Sequence, residues 1–568
     1  MSDKTIEFKM GSWLENAGIV GLTRVLDKDD YIVKNKSLLV KVDALDSFSD
    51  KYFKYFINQY GKYTRYNKII EYKKDIAYWL HDISTFTKDD IEKVNDFYKE
   101  KLKYSVTSAS YKKVYPLIES DFDALTEIKV LADKMKDFVK LKKVLEFSEE
   151  QITIIKNVLR KIAEFIEYFD QKDSHKYFPA KTLCYTVINS TYNGISFLNP
   201  QTKILNFYDD YQEYFVSPIL QYLEEDHEKD MYICSCCQRP MKRQDYAFSF
   251  LTGMGYDVNR KTSNGWNHIA DLYMCPSCQL MYSCTNAGFN YDNTGRGTFV
   301  NYNHTLDSLI RANQRILAAM NIASENSQAI TSYQAFIRSF EKETINNAKY
   351  ELANIQLINY NDGKYVYIII PRLATNIIRT ANTIEYGKTR LLSYLLNAGI
   401  RDFNGERYYR IYDAVIDHLF NAQNLFGLVH TMESLYLSGN SSTRFNGSHI
   451  YAVLKINDLY LKELGIMEAR YYSLRNAKDF GEALKKGYQN ENKAISLAYR
   501  LLTALKARNT LQFMDILLNA CLYQETKIIP EFINNQNKEE VFLQYGYALV
   551  AGLIGVKEYE KKVGNDNE

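Results

Sequence analysis

The hydrophobic pattern changes period along the chain. Between Tyr31 and Val42 (YIVKNKSLLVKV) apolar and polar residues alternate as in a half-buried strand, whereas Phe48 to Tyr60 is so rich in Tyr and Phe that strand and helix fit equally. From Asp123 to about Phe169, Leu, Ile, Val and Phe recur every three to four positions among lysines and glutamates, which predicts a two-helix hairpin broken near Phe147-Ser148. A Gly/Asn-rich stretch, Asn286 to Asn303, reads as a loop. Tyr365 to Ile370 (YVYIII), entered through Asn361-Asp362-Gly363 and closed by Pro371, reads as a buried strand. Beyond about residue 405 strand patterns nearly vanish and amphipathic helices run to the end, as expected for a separate helical bundle. No internal repeat is visible.

At 568 residues the chain is too long for one core, and its 46% hydrophobic and 25% charged residues are those of a folded globular protein. The formal net charge of +2 excludes a uniformly basic nucleic-acid binder, so any such binding rests on locally segregated charge. The start, MSDKTIEFKM, lacks a signal peptide's basic and apolar regions, and the longest apolar run, Tyr547 to Val556, is about half a bilayer span. A cytoplasmic protein that meets no membrane is expected. In that compartment clustered thiols are metal ligands more often than disulfides.

Six of the eight cysteines fall between Tyr232 and Cys284. Cys234-x-x-Cys237 and Cys275-x-x-Cys278 form two knuckles separated by 37 residues, and two such turns complete a tetrahedral shell of four thiolates for one structural Zn2+, with no position left open for catalysis. Pro240 and Pro276 are read as turn residues. Cys236 and Cys284 are spare thiols able to substitute in the shell. The expected fold class is therefore α+β: a mixed N-terminal domain (1–230 and 286–404) interrupted by a four-cysteine zinc module (231–285), followed by an all-α bundle (405–568).

Three features in order, WLENAGIVGLTRVL from Trp13 to Leu26, the paired knuckles, and FVNYN from Phe299 to Asn303 ahead of a helical C-terminus, resemble the CXXC-CXXC family of type I-B CRISPR systems. The resemblance implies a non-enzymatic large subunit of Cascade, the RNA-guided interference complex. Such a subunit would read the PAM of target double-stranded DNA, aid unwinding and recruit the helicase-nuclease, while base pairing by the guide reads the remaining sequence. Its implied partners are the crRNA-bound backbone subunits, target DNA and the helicase-nuclease effector. A small subunit made by internal translation of the C-terminal bundle would join them. Met467 is the candidate start, because Lys462-Glu463 can be encoded by a purine-rich ribosome-binding sequence, and Met432 is its rival.

Candidate nucleic-acid contacts follow from side-chain type. Asn16 can pair with a base edge or phosphate, and Ala17, Gly18 and Gly21 admit either a nucleic-acid backbone or a packed helix. Arg260, Lys261, Asn264 and Trp266 offer charge, amide and ring on the loop between the knuckles, and Arg296 lies between two glycines; an ordinary surface loop fits these residues equally. Met467 to Thr510 carries nine Lys/Arg against four Asp/Glu, and Leu511 to Glu568 five against nine. A helix from Lys493 to Arg508 would turn Ile495, Ala498, Leu502 and Leu505 inward and Lys493, Arg500 and Arg508 towards a phosphate backbone, or merely towards solvent.

Two catalytic look-alikes fail. His81-Asp82 resembles an HD nuclease dipeptide but has no histidine before it, and Gly387-Lys388-Thr389 resembles the end of a P-loop but has Asn382 where the first glycine belongs. No enzyme is expected. The rival readings are a zinc-dependent nucleic-acid-processing enzyme, marked by divalent-metal-dependent cleavage, and a zinc-stabilised interaction scaffold, marked by salt-insensitive partner binding.

Overall fold

The computed structural model describes residues 4–143, 146–252, 272–292, 295–325, 336–337, 355–361, 363–401, 408–439, 443–467, 473–488 and 491–555. The chain forms two compact units: one comprises residues 1–317 and 357–367, the other 318–356 and 368–568. The segment 286–404 is thus divided between them, and residues 231–285 belong to the first.

The first unit opens with strand β1 (Thr5–Lys9), helix α1 (Trp13–Val25), strands β2 (Tyr31–Val33) and β3 (Ser37–Lys41), and helix α2 (Phe48–Tyr60). The alternating stretch Tyr31 to Val42 is a hairpin rather than one strand: β3 lies between β1 and β2 in an antiparallel sheet, with Ile6 opposite Val40 and Ile32 opposite Leu39. The Tyr/Phe-rich stretch is helical because Phe48, Tyr52, Phe53, Phe56 and Tyr60 then fall on one buried face. The expected helical hairpin is present as α3 (Ala124–Lys140) and α4 (Glu149–Phe169), which pack together. Ser148 stops the chain between them, capping α4 reciprocally with Gln151.

The metal segment contributes β4 (Tyr232–Ile233), β5 (Pro240–Met241), β6 (Tyr246–Ala247), β7 (Tyr273–Met274), α5 (Pro276–Ser283) and α6 (Thr285–Gly288). β8 (Asn290–Tyr291) and β9 (Gly297–Tyr302) follow, then helix α7 (Leu306–Glu325). The Gly/Asn-rich stretch is accordingly no loop. Asn286, Asn290 and Asn301 are buried and paired: Asn290 Nδ2 donates to Thr298 O, Asn286 accepts from the Tyr52 hydroxyl while donating to Ile188 O, and Asn301 Oδ1 accepts from Asn16. Amide side chains satisfy the backbone that a polar pattern would have left to water. β9 continues into a four-stranded sheet through β10 (Ile355–Asn361) to β11 (Lys364–Ile369). The YVYIII run is a strand, but an exposed edge one, with Val366, Tyr367 and Ile369 all more than half exposed. An apolar run does not distinguish a central strand from an edge. Trp13 covers part of it, its ring centroid 5.2 Å from Tyr365 and 5.5 Å from Tyr367.

The second unit contains helix α8 (Arg372–Thr383), hairpins β12–β13 (Glu385–Tyr386, Thr389–Arg390) and β14–β15 (Gly399–Arg401, Tyr408–Arg410), and helices α9 (Ile411–Phe420), α10 (Phe426–Leu437), α11 (Gly447–Glu463), α12 (Ser473–Gly487), α13 (Glu491–Lys506), α14 (Thr510–Tyr523) and α15 (Glu539–Ile554). Gly387-Lys388 is the tight turn joining β12 to β13, with Gly387 at φ +63°, so no helix N-terminus follows it to cradle phosphate. The apolar run near the C-terminus is α15, the centre of the bundle, buried at every residue from Val541 to Ile554. Among the described residues no helix is long and apolar enough to cross a membrane.

One core residue of this unit is out of character. Glu433, on α10, is fully buried and neither carboxylate oxygen has a hydrogen-bond partner. Burial holds its pKa well above the usual carboxylate range, so it is a neutral acid beside Tyr547. The folded state then binds this proton more tightly than the unfolded chain. Stability from the group is fully present below the unfolded pKa of about 4.3 and is lost as pH rises towards the folded value, by at most about 1.4 kcal/mol per pH unit. Denaturant unfolding of the second unit between pH 4 and 8.5 is expected to show this decline, and Glu433→Gln to flatten it. Parallel pH profiles for the two chains would count against it.

Candidate metal centre

The first knuckle is a tight β4–β5 turn. Cys234 N–H donates to Arg239 O at 2.9 Å, Gln238 N–H donates to Cys234 O at 3.0 Å, and Gln238 takes φ +62°. Ser235 N–H donates to Tyr273 O at 2.9 Å, tying this turn to β7. The second knuckle is built differently from the turn expected. Cys275 is the N-cap of α5 and Pro276 its first residue, where a fixed φ and a missing N–H suit a helix start. Cys278 therefore lies in the first helical turn, where the helix dipole favours thiolates.

The four Sγ atoms of Cys234, Cys237, Cys275 and Cys278 lie within 4.8 Å of one another. The Cys237–Cys275 and Cys234–Cys278 separations are 3.5 and 3.8 Å. A tetrahedral Zn2+ with bonds of about 2.3 Å requires sulfurs about 3.8 Å apart, and these two pairs stand close to that spacing, so the residues present fit the ion. Cys275 N–H also donates to Cys234 Sγ at 3.2 Å, a bond that favours the thiolate. Hydrogen bonds from Cys236, Cys237, Cys275 and Cys278 hold the Cys234 thiol far below its usual range. Hydrogen bonds to Cys234 and Cys237 in turn push the Cys275 and Cys278 thiols up. Cys237 is lowered as well, to about 7, by hydrogen bonds within the cluster, so protons alone leave the four sulfurs unequally ionised, and a divalent cation is what would ionise all four.

Arg239, two residues past the knuckle, was not singled out by the sequence. Its guanidinium donates to Glu7 O and lies beside Cys237, Cys275 and Cys278, whose charges raise its pKa against burial. It would offset the negative charge that four thiolates leave on a divalent ion. On the other side His227 braces the module, its two ring nitrogens 2.7 Å from the Asp230 carboxylate and 2.6 Å from Tyr222 O. Tyr222 in turn donates to Pro240 O at 2.8 Å.

α5 beyond Pro276 and the whole of α6 are buried, and α1 lies directly on them. The glycines of α1 face this joint: a Cβ at Gly18 would stand 2.5 Å from Met281 O, one at Gly21 1.9 Å from Cys284 O, and one at Gly288 2.0 Å from Ala17 O. Arg24 reaches across, donating to the carbonyls of Ala287, Gly288 and Phe289 that end α6 and to Asn290 Oδ1 at 2.8 Å. Asn16, a candidate nucleic-acid contact, is fully buried. Its amide donates to Asn301 Oδ1 at 2.8 Å and closes a ring with Gly11. The N-terminal motif, the second knuckle and FVNYN therefore meet in one core.

The remaining candidates lie elsewhere. Arg260, Lys261, Asn264 and Trp266 fall outside the described residues. Arg296 is exposed at the end of the β8–β9 hairpin, where its N–H donates to Asp292 Oδ1 at 3.0 Å. In the second unit Lys493 and Arg500 line one groove between α13 and α14, of about 290 Å³, together with Tyr488 and Tyr523. The two tyrosine rings stack at 5.7 Å, and the Lys493 ammonium lies 5.2 Å from the Tyr523 ring centroid. Arg508 is beyond the helix end, at φ +53°, paired with Glu539 at 2.7 Å. Of the four residues expected to face inward, Ala498, Leu502 and Leu505 do so and Ile495 is exposed, because α13 buries Ala494, Leu497 and Leu501 instead. Asp82 of the HD look-alike caps a helical turn through Ser84.

Residues 227–290 match the family model described as CRISPR-associated protein (Cas_CXXC_CXXC). The match begins at the His227 brace and ends at Asn290, the partner of Arg24, so it covers both knuckles and the two buried helices. It supports a CRISPR-associated family for this chain. No curated protein and no solved structure matches it.

Proposed function

We propose that this chain is the non-catalytic large subunit of a type I-B CRISPR RNA-guided surveillance complex. In that role it reads the PAM of double-stranded DNA, aids unwinding and recruits the helicase-nuclease, with one structural Zn2+ held by Cys234, Cys237, Cys275 and Cys278. The observation that carries this reading is the family match over the very segment whose four thiols converge. The ion would pin the turn at Cys234 to the buried helix at Cys275, fixing the loop between the knuckles for contact with the duplex.

The second unit supplies a further nucleic-acid face in this reading, since Lys493 and Arg500 are exposed on one side of α13. The double variant Lys493→Ala/Arg500→Ala is expected to weaken DNA and RNA binding about equally across sequences and to lower the slope of log affinity against log salt by about two. An unchanged slope would assign the two cations to solvent. Met467 lies between α11 and α12, so translation from it would yield whole helices, whereas Met432 lies inside α10. Met467 is therefore the favoured start of a small subunit.

A native pull-down of the C-terminally tagged chain from its host tests the reading as a whole. Repeat-flanked guide RNA, partner subunits, about one zinc per chain and a second, shorter tagged product are expected. Zinc without guide RNA or partners would overturn the CRISPR assignment and leave the metal centre standing.

A further inference from the structure

Of the two spare thiols near the cluster, only one is placed to act on it. Cys284 ends α5 on the side facing α1, fully buried, with the Ser283 hydroxyl 3.9 Å from its sulfur. Cys236 belongs to the first knuckle itself and faces Tyr282, which lies one helical turn beyond Cys278 on α5. Cys236 Sγ lies 3.3 Å from the Tyr282 hydroxyl, which donates its proton to Glu15 Oε1 at 2.7 Å. With that proton committed to a carboxylate, the tyrosine oxygen is an acceptor, and Cys236 is held against it as a neutral S–H.

We propose that Cys236 is an exchange ligand of the metal centre, able to take the coordination position of Cys278 while Cys234, Cys237 and Cys275 stay in place. In the swap the Cys236 S–H bond breaks as its sulfur joins the ion, the Cys278 sulfur leaves, and the proton passes to the departing thiolate. One thiol and one thiolate change roles, so neither the charge of the site nor its oxidation state changes and no outside reagent is needed. Tyr282 and Glu15 form the resting place of the reserve thiol. A site of this kind keeps its ion when one ligand is damaged, and it does so on one side only, because the reserve thiol rests against Tyr282, on the same face of α5 as Cys278, and not beside Cys275 at the helix start.

This inference rests on the metal reading above, and the experiment separates the two. Full-length wild type, Cys236→Ser, Cys278→Ser, Cys275→Ser and Cys236→Ser/Cys278→Ser are purified, zinc per chain is measured, and Co2+ is substituted to count thiolates from the sulfur-to-metal charge-transfer band. Wild type, Cys236→Ser and Cys278→Ser are expected to hold about one ion with four thiolates. The double variant should lose the four-thiolate band and bind at least about 100-fold more weakly. Cys278→Ser with a three-thiolate band like that of the double variant, or Cys278→Ser insoluble while Cys236→Ser is soluble, would overturn the exchange role. A wild-type chain without metal would instead overturn the metal reading itself.

Discussion

Cys275→Ser is expected to empty the metal centre. Cys275 starts α5, donates its N–H to Cys234 Sγ and stands 3.5 Å from Cys237, and no spare thiol lies on that side of the cluster. Losing a ligand should exceed the roughly 10- to 100-fold that loss of an outer hydrogen-bond partner costs in metal affinity. Zinc per purified chain should fall from about one towards zero. The consequence should be local. β4 to β7 are two-residue strands whose order depends on the knuckles, whereas α13 to α15 share a core in the second unit. Hydrogen exchange should therefore quicken over residues 232–252 and stay unchanged over 491–555. Equal protection in both regions of the variant would mean that the ion adds nothing to the fold.

The second large effect is expected one layer further in. Gly21→Ala places a Cβ 1.9 Å from Cys284 O and 2.8 Å from the carbonyl carbon, both backbone atoms that cannot rotate away. The whole of α1 must then lift from α5 and α6, stretching the hydrogen bonds from Arg24 and Asn16. Overpacking of this kind costs about 3 kcal/mol. The control is Gly11→Ala, whose Cβ would meet only the Glu15 side chain at 3.5 Å and should change little. The chain has two units, so one unfolding midpoint is ill-defined, and the exchange rate of the α1 amides is the better measure. Slow exchange in Gly21→Ala would show that the helices do not pack this closely.

Joining the metal knuckle to the N-terminal helix has a functional consequence. If the loop between the knuckles touches DNA, its base is fixed through α5 to α1 and the sheet around β9, a larger body than a free zinc module offers. A contact residue held on such a body loses less entropy on binding than one on an isolated loop.

The paired C-x-x-C spacing by itself pointed to Cys234, Cys237, Cys275 and Cys278, because a two-residue gap brings both thiols of a turn to one point whatever surrounds it, while Cys236 and Cys284 stayed open as substitutes. Local periodicity likewise determined α3, α4 and the C-terminal helices, since each buries a face read from three-to-four spacing. Only the tertiary structure decided the rest. Asn16, Gly18, Gly21 and Asn301 are small or polar residues suited equally to a ligand or to another helix, and what meets them lies some 263 to 285 residues away in sequence. The stretch 286–303 seemed a loop because the partners of Asn286 and Asn290, Tyr52 and backbone carbonyls, belong to other elements. The run at 365–370 seemed buried because apolar character does not reveal which strand of a sheet lies at its edge. Nor did spacing separate Cys236 from Cys284, two thiols of one sequence type. Their difference arises from a hydroxyl on Tyr282 and a carboxylate on Glu15, and a linear pattern carries no information about which side chains share a point in space.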